Sequence, residues 1–258
     1  MRANALKAKW QRGEVVRNGW LTVSAPYLAE FMGHQGFDSL TIDLQHGMIG
    51  IEGAIAMLQA ISATPAIPLA RVQKSDPALV MHLLDAGAYG IICPSLSTVE
   101  EVEEFVSSCR YPPVGQRSFG PARGVLYGGS DYAARADAEI LAIAMIETRA
   151  AVENIEAIMS VPELDGVYVG PFDLAYSLGT VPSLDPQENE AAAALKRIAQ
   201  VARQHGKFVG THAPQATIMA ARLKEGYNML TPGNELNLLG AAARAALAQI
   251  DAGGTAST

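Results

Sequence analysis

The 258-residue sequence has only two cysteines, Cys93 and Cys109, and they form no CxxC motif. We therefore expect no thiolate zinc site, and two lone cysteines are typical of a reducing cytosol. No stretch of about 18 consecutive apolar residues occurs, which predicts that no helix spans a membrane. The amino terminus, MRANALKAKWQRGEVV, lacks the apolar segment of a signal peptide. These absences predict a cytoplasmic protein.

Basic residues are also few. Lys and Arg number 19 against 26 Asp and Glu, which gives a formal charge of −7, and the basic residues are scattered. This balance predicts no nucleic-acid partner. No GxGxxG motif follows a predicted strand, which disfavours an open doubly wound sheet that binds a dinucleotide. We expect no organic cofactor.

Short apolar runs alternate with helix-like segments along the whole chain. Several runs are apolar on both faces, as buried parallel strands are. Eight such strands within about 250 residues predict an α/β fold, a single-domain (β/α)8 TIM barrel over residues 1–258 with a flexible tail, AGGTAST, at 252–258. The predicted strands are 20–24, 38–43, 66–71, 89–93, 140–147, 165–169, 207–211 and 227–230.

Several of the predicted helices carry sequence signals at their ends. Thr98 and Glu101 have the spacing of a capping box, and Ser97 with Glu100 offers the same pattern. Asp185-Pro186, with Glu188, predicts the start of an alanine-rich helix that ends at Gly206. Gly226 predicts the end of the next helix.

In a parallel barrel the active site lies at the carboxyl ends of the strands. Polar residues follow several of the predicted strands at this end. The second strand ends in Asp43 and is followed closely by His46, and the third ends in Arg71. The fifth ends in Glu147, and the sixth leads into Gly170-Pro171-Phe172-Asp173.

Two of these acids, Glu147 and Asp173, belong to neighbouring strand ends. Two carboxylates and several waters suit an octahedral Mg²⁺ or Mn²⁺ ion, which prefers oxygen ligands. The alternative is that Glu147 caps the next helix or pairs with Arg149. An acid at the end of the apolar run ILAIAMIE needs a partner when it is buried, and a metal ion or Arg149 would each provide one.

Arg71 ends a strand that is otherwise suited to a barrel interior. Its planar guanidinium fits a substrate carboxylate in a bidentate way. The alternative is a structural ion pair with Asp43 or Glu147. His46 is suited to take and return a proton near neutral pH, and Asp85 is a candidate to orient it or simply ends its own helix. We expect His212, also at a strand end, to be an ordinary histidine.

The segment GPFDLAYSLG contains a glycine, a proline and a predicted helix start. Backbone N–H groups at such a start attract a carboxylate, and Phe172 and Asp173 would provide them. The alternative is a plain turn between a strand and a helix.

Five segments, in order and spacing, resemble the 4-hydroxy-2-oxoheptanedioate aldolase (HpcH/HpaI) family of metal-dependent, class II pyruvate aldolases. The similarity extends roughly from Trp10 to Leu239, and its most specific parts are GPFDLAYSLG and the DxxHG pattern at Asp43. The segments are FDSLTIDLQHG, PLARV, LLDAGAYGIICP, MIETRAAVENIEAI and LDGVYVGPFDLAYSLG.

The resemblance implies a role for each candidate residue. Glu147 and Asp173 match the ligands of a divalent cation, Mg²⁺ or Mn²⁺ or another ion such as Co²⁺. Arg71 matches the arginine that binds the 2-oxo acid and steadies its enolate. His46 matches the proton-transfer histidine, and Asp85 matches its carboxylate partner. Asp43 matches an acid near the waters of the metal. Gly170, Phe172 and Asp173 match the positions whose backbone amides hold the substrate carboxylate.

The implied reaction is reversible aldol addition of pyruvate, or of a related 2-oxo acid such as hydroxypyruvate, to an aldehyde. Two other classes stay open: a lyase that cleaves an acyl-CoA, such as citramalyl- or malyl-CoA, and a non-catalytic barrel for binding or assembly. The resemblance also implies a homo-oligomer, usually a hexamer. One departure is Met145, where the family often has Gln, and a thioether cannot replace the hydrogen bonds of an amide.

Overall fold

The computed structural model describes residues 1–254, whose eight parallel strands form a closed barrel in sequence order. Each strand pairs with the next, and β8 returns to β1 with Met229 opposite Val16. This confirms the predicted (β/α)8 barrel. The strands are β1 (Val16–Leu21), β2 (Ser39–Asp43), β3 (Ile67–Arg71), β4 (Gly90–Cys93), β5 (Leu141–Ile146), β6 (Gly166–Val169), β7 (Phe208–His212) and β8 (Met229–Thr231).

Helices surround the barrel and return the chain to the start of each next strand. The first one closes the amino-terminal end of the barrel, where Trp10 stacks on Phe208 with ring centroids 3.8 Å apart. The helices are α1 (Ala5–Gln11), α2 (Pro26–Gly33), α3 (Ile51–Ile61), α4 (Pro77–Asp85), α5 (Val99–Cys109), α6 (Ala122–Gly128), α7 (Tyr132–Glu139), α8 (Arg149–Glu153), α9 (Ile155–Met159), α10 (Pro171–Ser177), α11 (Glu190–Gln204), α12 (Ala216–Glu225) and α13 (Glu235–Gly254).

The strands separate two apolar cores because successive side chains point to opposite faces of the sheet. The larger core packs between strands and helices and includes Leu40, Ile42 and Ile91. The smaller core fills the barrel interior and includes Leu69 and Ile143, from β3 and β5. Both faces of the strands are therefore buried, as their continuous apolar sequence predicts.

The first strand differs from its prediction. It spans residues 16–21 rather than 20–24. Because Arg17 and Asn18 are polar, the pattern of apolar residues does not indicate where this strand begins. Asn18 is completely buried inside the barrel, where its amide bonds the hydroxyl groups of Ser39, Thr41 and Thr231. As a consequence Trp20 lies near the carboxyl end of β1 instead of at its start.

The helix signals had different outcomes. The capping box of Thr98 and Glu101 is present at the start of α5, and Gly226 ends α12 in the left-handed conformation. The predicted helix start at Asp185-Pro186 is wrong. Glu188 has a φ of 40°, which a right-handed helix does not allow, and Asn189 caps α11 instead by accepting a bond from Ala192 N.

The final helix reaches further than the sequence predicts. Residues 252–254 of the predicted tail belong to α13, and 255–258 lie outside the described residues. None of the helices that the structure describes has both the length and the hydropathy needed to cross a bilayer.

Candidate active site

A cavity of about 510 Å³ opens at the carboxyl ends of the strands. Six residues predicted for the site line it: Asp43, His46, Arg71, Gly170, Phe172 and Asp173. Its other walls are mostly apolar and include Trp20, Met48, Met145, Leu184, Pro214 and Leu236. The barrel topology therefore brings together residues that are up to 130 positions apart, from Asp43 to Asp173.

Arg71 and Asp43 form a buried bidentate ion pair. Nε of Arg71 donates to Oδ1 of Asp43 at 2.9 Å, and Nη2 donates to Oδ2 at 2.5 Å. Trp20 Nε1 also donates to Oδ2, at 3.1 Å. Burial raises the pKa of the Asp43 carboxyl, but the bonds from Arg71 and Trp20 outweigh it and hold the pKa below its ordinary value. The predicted structural alternative for Arg71, a pair with Asp43, is thus present.

The pair leaves one corner of the guanidinium free for a ligand. Nη1 of Arg71 lies 3.8 Å from Sδ of Met145, a weak acceptor that a substrate oxygen can displace. The guanidinium carbon lies over the Trp20 ring, 4.8 Å from its centre, so a cation–π interaction stabilises the charge. Arg71 can therefore bind an anion while it stays paired with Asp43.

Asp43 also shapes the loop that carries His46. Its Oδ1 accepts bonds from the backbone N–H groups of Gln45 and His46, at 3.0 and 3.2 Å. The chain turns so tightly here that a Cβ on Gly47 would lie 2.2 Å from the Asp43 carbonyl oxygen, so only glycine fits. The loop leaves the His46 side chain exposed at the pocket wall.

Glu147 follows β5 and is buried, with 5% of its surface exposed. Its Oε1 accepts bonds from the backbone N and the hydroxyl of Ser95, at 2.7 and 3.0 Å. Ser95 has a φ of 58°, a strained conformation for a non-glycine residue that aims both donors at the carboxylate. Burial raises the pKa of Glu147, and the charge of Asp173 raises it further. No protein cation pairs with Glu147 among the described residues.

Gly170 allows Glu147 to approach the pocket. A Cβ on Gly170 would lie 2.6 Å from Oε2 of Glu147, the oxygen that Ser95 leaves free. Asp173, in the first turn of α10, lines the pocket from the same side. The described residues contain no group of three or more His, Cys, Asp or Glu that could hold a metal ion. Two hard carboxylates without a protein cation fit a Mg²⁺-type ion that keeps most of its waters.

The start of α10 faces the pocket with its backbone. Gly170 is the N-cap residue, and no side chain caps the first turn. The N–H of Gly170 makes a long bond of 3.4 Å to the carbonyl oxygen of Ile146. The first-turn N–H groups therefore have capacity for a ligand carboxylate.

Asp85 lies elsewhere, and the predicted contact with His46 is not formed within residues 1–254. It ends α4, which runs antiparallel to β3, so it lies at the amino-terminal end of the barrel. There Arg117 Nη2 donates to its Oδ1 at 2.7 Å and also contacts the hydroxyl of Tyr132. A residue in the last turn of a helix cannot reach the rim where the helix begins.

Four residues of the site were missed or misjudged from the sequence. Trp20 was assigned to the wrong end of its strand, and Ser95 stands just after the predicted end of the fourth strand. His212 is expected from the sequence to be ordinary, although its position at the end of β7 is a usable signal. Tyr168 hydrogen-bonds His212 from inside the barrel, at 3.0 Å between hydroxyl and Nδ1.

Comparison with known proteins agrees with this geometry. Residues 18–242 match the family described as HpcH/HpaI aldolase/citrate lyase. A hydroxypyruvate/pyruvate aldolase of Rhizorhabdus wittichii is 40% identical over 245 residues, which cover 95% of this chain and 98% of the relative. A 4-hydroxy-2-oxo-heptane-1,7-dioate aldolase of Escherichia coli is 32% identical over 98% of this chain and 97% of its own.

A solved structure shares the fold over nearly the whole length. The HpcH/HpaI aldolase/citrate lyase family protein of Burkholderia cenocepacia J2315 has a TM-score of 0.89 and 30% identity, over 96% of this chain and 100% of its own. Members of the family generally depend on a divalent metal. The chain therefore belongs to the HpcH/HpaI aldolase/citrate lyase family, as its sequence motifs indicate.

Proposed function

We propose that this protein is a class II aldolase that adds pyruvate, or a related 2-oxo acid such as hydroxypyruvate, to an aldehyde and catalyses the reverse cleavage. The observation that carries the proposal is the buried carboxylate of Glu147, which Asp173 repels and which forms no salt bridge with a described Lys, Arg or His. It adjoins a pocket with a partly free guanidinium and uncapped helix N–H groups. The aldolases among the relatives support the same reaction class.

Glu147 and Asp173 would hold the divalent cation, with Mg²⁺ or Mn²⁺ preferred by their oxygen ligands and Co²⁺ as another candidate. When bound, that cation supplies Lewis-acid stabilisation of the negative charge that develops on the 2-oxo group. The backbone N–H groups of Gly170, at the N-cap, and of Phe172 and Asp173, in the first turn, receive the substrate carboxylate.

Arg71 stabilises the enolate oxygen through Nη1, while its other nitrogens stay on Asp43. His46 removes a proton from C3 of the 2-oxo acid, and C3 of the resulting enolate attacks the aldehyde carbon. A proton then returns to the new alkoxide oxygen, which completes a 4-hydroxy-2-oxo acid. His46 performs these steps without Asp85, which is absent from the pocket of its own chain.

A lysine-dependent mechanism has no suitable amine. Lys207 has the lowered pKa that such a mechanism uses, caused by burial. However, it precedes β7 at the amino-terminal end of the barrel, where its Nζ donates to the carbonyl of Val161 at 2.9 Å. Lys74 is exposed and does not line the pocket.

The described pocket-lining residues do not favour the alternative function, an acyl-CoA lyase. CoA phosphates need a basic surface, whereas the sole Lys or Arg among the described pocket-lining residues is Arg71, which is already paired. Solved citrate lyases that are 14–15% identical to this chain share the fold alone.

We also propose a cytoplasmic homo-oligomer, with a hexamer as the expected form. The support is the apolar surface of α13, where Leu236, Leu239, Leu247 and Ile250 are each at least half exposed. Sedimentation velocity would measure the assembly.

The decisive experiment combines metal removal with a substrate panel. We expect EDTA to abolish turnover of pyruvate and simple aldehydes, and Mg²⁺, Mn²⁺ or Co²⁺ to restore it. Borohydride added with pyruvate should add no mass to the protein. Activity that resists EDTA, together with a pyruvate adduct on Lys74, would overturn the proposal. Acyl-CoA cleavage is assayed beside it, and product analysis identifies the preferred aldehyde.

A further inference from the structure

His212 joins the pocket to a polar chain inside the barrel. It lies at the end of β7, lines the pocket and is partly buried. Its Nδ1 lies 3.0 Å from the hydroxyl of Tyr168, and that hydroxyl donates to Oγ1 of Thr231 at 2.7 Å. The inner edge of the imidazole is therefore held by the barrel core, while Nε2 is on the opposite edge of the ring.

The direction of these bonds follows from Asn18. Its Oδ1 accepts protons from the hydroxyls of Ser39 and Thr41, at 2.7 and 3.1 Å, so its NH2 group is the end that faces Thr231. Nδ2 of Asn18 donates to Oγ1 of Thr231 at 3.0 Å. Thr231 is thus an acceptor for this chain of bonds.

The tautomer of His212 follows in turn. The Tyr168 hydroxyl donates its hydrogen bond to Oγ1 of Thr231. Its oxygen must therefore accept a hydrogen bond from Nδ1–H of His212. With the proton on Nδ1, Nε2 carries a lone pair. Burial and the charge of Arg71 lower the pKa of His212 to about 4, so the ring is neutral at neutral pH.

The surroundings of Nε2 favour one kind of ligand. Trp20 packs against the imidazole edge at 4.7 Å between ring centres, and Pro214 and Leu236 line the pocket as well. No described residue hydrogen-bonds Nε2. A lone pair in an apolar pocket repels carboxylate and carbonyl oxygens, and it pairs with an O–H donor.

We propose that His212 recognises a substrate hydroxyl group, which donates a hydrogen bond to Nε2. This inference rests on the proposed aldolase function and refines its substrate class. The hydroxyl belongs either to the donor, a 3-hydroxy-2-oxo acid, or to the acceptor, a 2-hydroxyaldehyde. In this role His212 is a positioning and specificity residue, distinct from His46, which moves the proton.

The test compares paired substrates that differ by one hydroxyl. One arm uses hydroxypyruvate against pyruvate with propanal, and the other uses glycolaldehyde against acetaldehyde with pyruvate. His212→Asn keeps an amide near the Tyr168 hydroxyl but does not extend to the Nε2 position, whereas His212→Gln does. We expect His212→Asn to lower the kcat/KM ratio roughly fivefold or more in one arm, the scale of one neutral hydrogen bond. His212→Gln should recover part of it.

His205→Asn is the matched control, because His205 caps the end of α11 far from the pocket and contacts Glu156. It should leave both ratios as they are in the wild type. If the wild type turns over no pair, the aldolase proposal fails. The inference about His212 fails if the wild type turns over the pairs and His212→Asn leaves both kcat/KM ratios unchanged. It also fails if His212→Asn lowers kcat/KM for every substrate by the same factor.

A second measurement does not depend on activity or on the stability of the His212 variants. Nitrogen-15 NMR of the wild-type imidazole should find the proton of His212 on Nδ1, and Tyr168→Phe should shift it toward Nε2. A wild-type ring protonated on Nε2 would overturn the assignment.

Discussion

Each side of the pocket has a buried carboxylate, and the two carboxylates lie in opposite electrostatic environments. On the side of β2 and β3, Asp43 is 1% exposed and has a lowered pKa, because Arg71 and Trp20 satisfy it. On the side of β5 and β6, Glu147 is 5% exposed and has a raised pKa, because burial and Asp173 act against its charge. Similar burial therefore leads to opposite electrostatic outcomes.

The difference identifies which side needs a ligand. Asp43 and Arg71 compensate each other and form a stable wall for the pocket. Glu147 has two donors from Ser95 but no salt bridge to a described cation, and a buried anion without such a partner is costly. An acidic group without a salt-bridge partner thus lies beside a compensated ion pair, and this arrangement supports the proposed cation-dependent reaction of an oxo acid.

Glu147→Gln tests the acidic corner, and we expect the largest effect there. The amide keeps the size of the side chain but loses the charge, so Mn²⁺ affinity should fall steeply and turnover should drop at least about 10³-fold. Calorimetric Mn²⁺ titration and circular dichroism separate lost binding from lost folding. Glu153→Gln, on the exposed surface of α8, is the control. Unchanged Mn²⁺ affinity in Glu147→Gln would remove the residue from the site.

His46→Ala tests the proton-transfer role on the opposite side. We expect proton exchange at C3 of pyruvate to fall about 10³-fold, the usual range for a positioned acid or base. Mn²⁺ affinity should stay normal, since His46 is not a proposed ligand. Exchange is followed by NMR in deuterium oxide, with the exposed His34→Ala as the control. Loss of Mn²⁺ binding would instead make His46 a ligand.

Arg71→Lys separates the charge of the ion pair from its geometry. Lysine keeps the charge but cannot hold Asp43 with two nitrogens and offer a third to the substrate. We expect kcat/KM for the oxo acid to fall about 10²-fold. Arg203→Lys, at an exposed position, is the comparison variant. Kinetics near those of the wild type would exclude Arg71 from catalysis.

Asp43→Asn tests how much the Asp43–Arg71 ion pair contributes to the free energy of unfolding. It leaves the Arg71 charge without its carboxylate, so the free energy of unfolding at pH 7 should fall by about 3 kcal/mol. The pKa of Asp43 is lowered in the folded state, so its contribution is present above the unfolded pKa and is lost as pH falls through the folded value. Urea unfolding should therefore show a smaller difference from the wild type below about pH 4.

Glu14→Gln, which removes an exposed carboxylate beside Arg12, is the control for the stability measurement. It should change stability little at either pH. An equal loss at both pH values in Asp43→Asn would mean that the charge of Asp43 is not what stabilises the fold.

Met145→Gln tests a residue that lies between the two sides of the pocket, and we expect the smallest effect there. The Met145 sulfur lies beside Arg71 Nη1, and its methyl group lies 3.2 Å from where a Cβ on Gly170 would be. An amide oxygen would bind Nη1 more firmly, so we expect KM for the oxo acid to change about threefold with kcat nearly constant, on the scale of one hydrogen bond. Steady-state kinetics would measure it, and Met145→Leu controls for volume. The same shift in Met145→Leu would assign the effect to packing.

The barrel and most of the residues at its rim could be predicted from local sequence. Apolar runs of strand length, helix signals between them and a polar residue at several strand ends are properties of neighbouring residues. They located Asp43, Arg71, Glu147 and Asp173 because every strand of a parallel barrel ends on the same side.

Which of these residues pair with one another depends on the folded structure and could not be predicted from local sequence. The charge of Asp43 is compensated and that of Glu147 is not, because that depends on which side chains meet across the barrel. The polar chain from Asn18 to His212 was hidden for the same reason. A polar residue such as Asn18 inside a strand resembles a loop until its buried partners, from two other strands, are known.

Asp85 is the opposite case, since its motif resembles that of the family while its position keeps it out of the pocket of its own chain. Its place at the last turn of α4 fixes it at the far end of the barrel, with Arg117. A motif records the neighbours of a residue in the chain. Whether two residues meet depends on the direction in which each element runs, and in a (β/α)8 barrel helices and strands run in opposite directions.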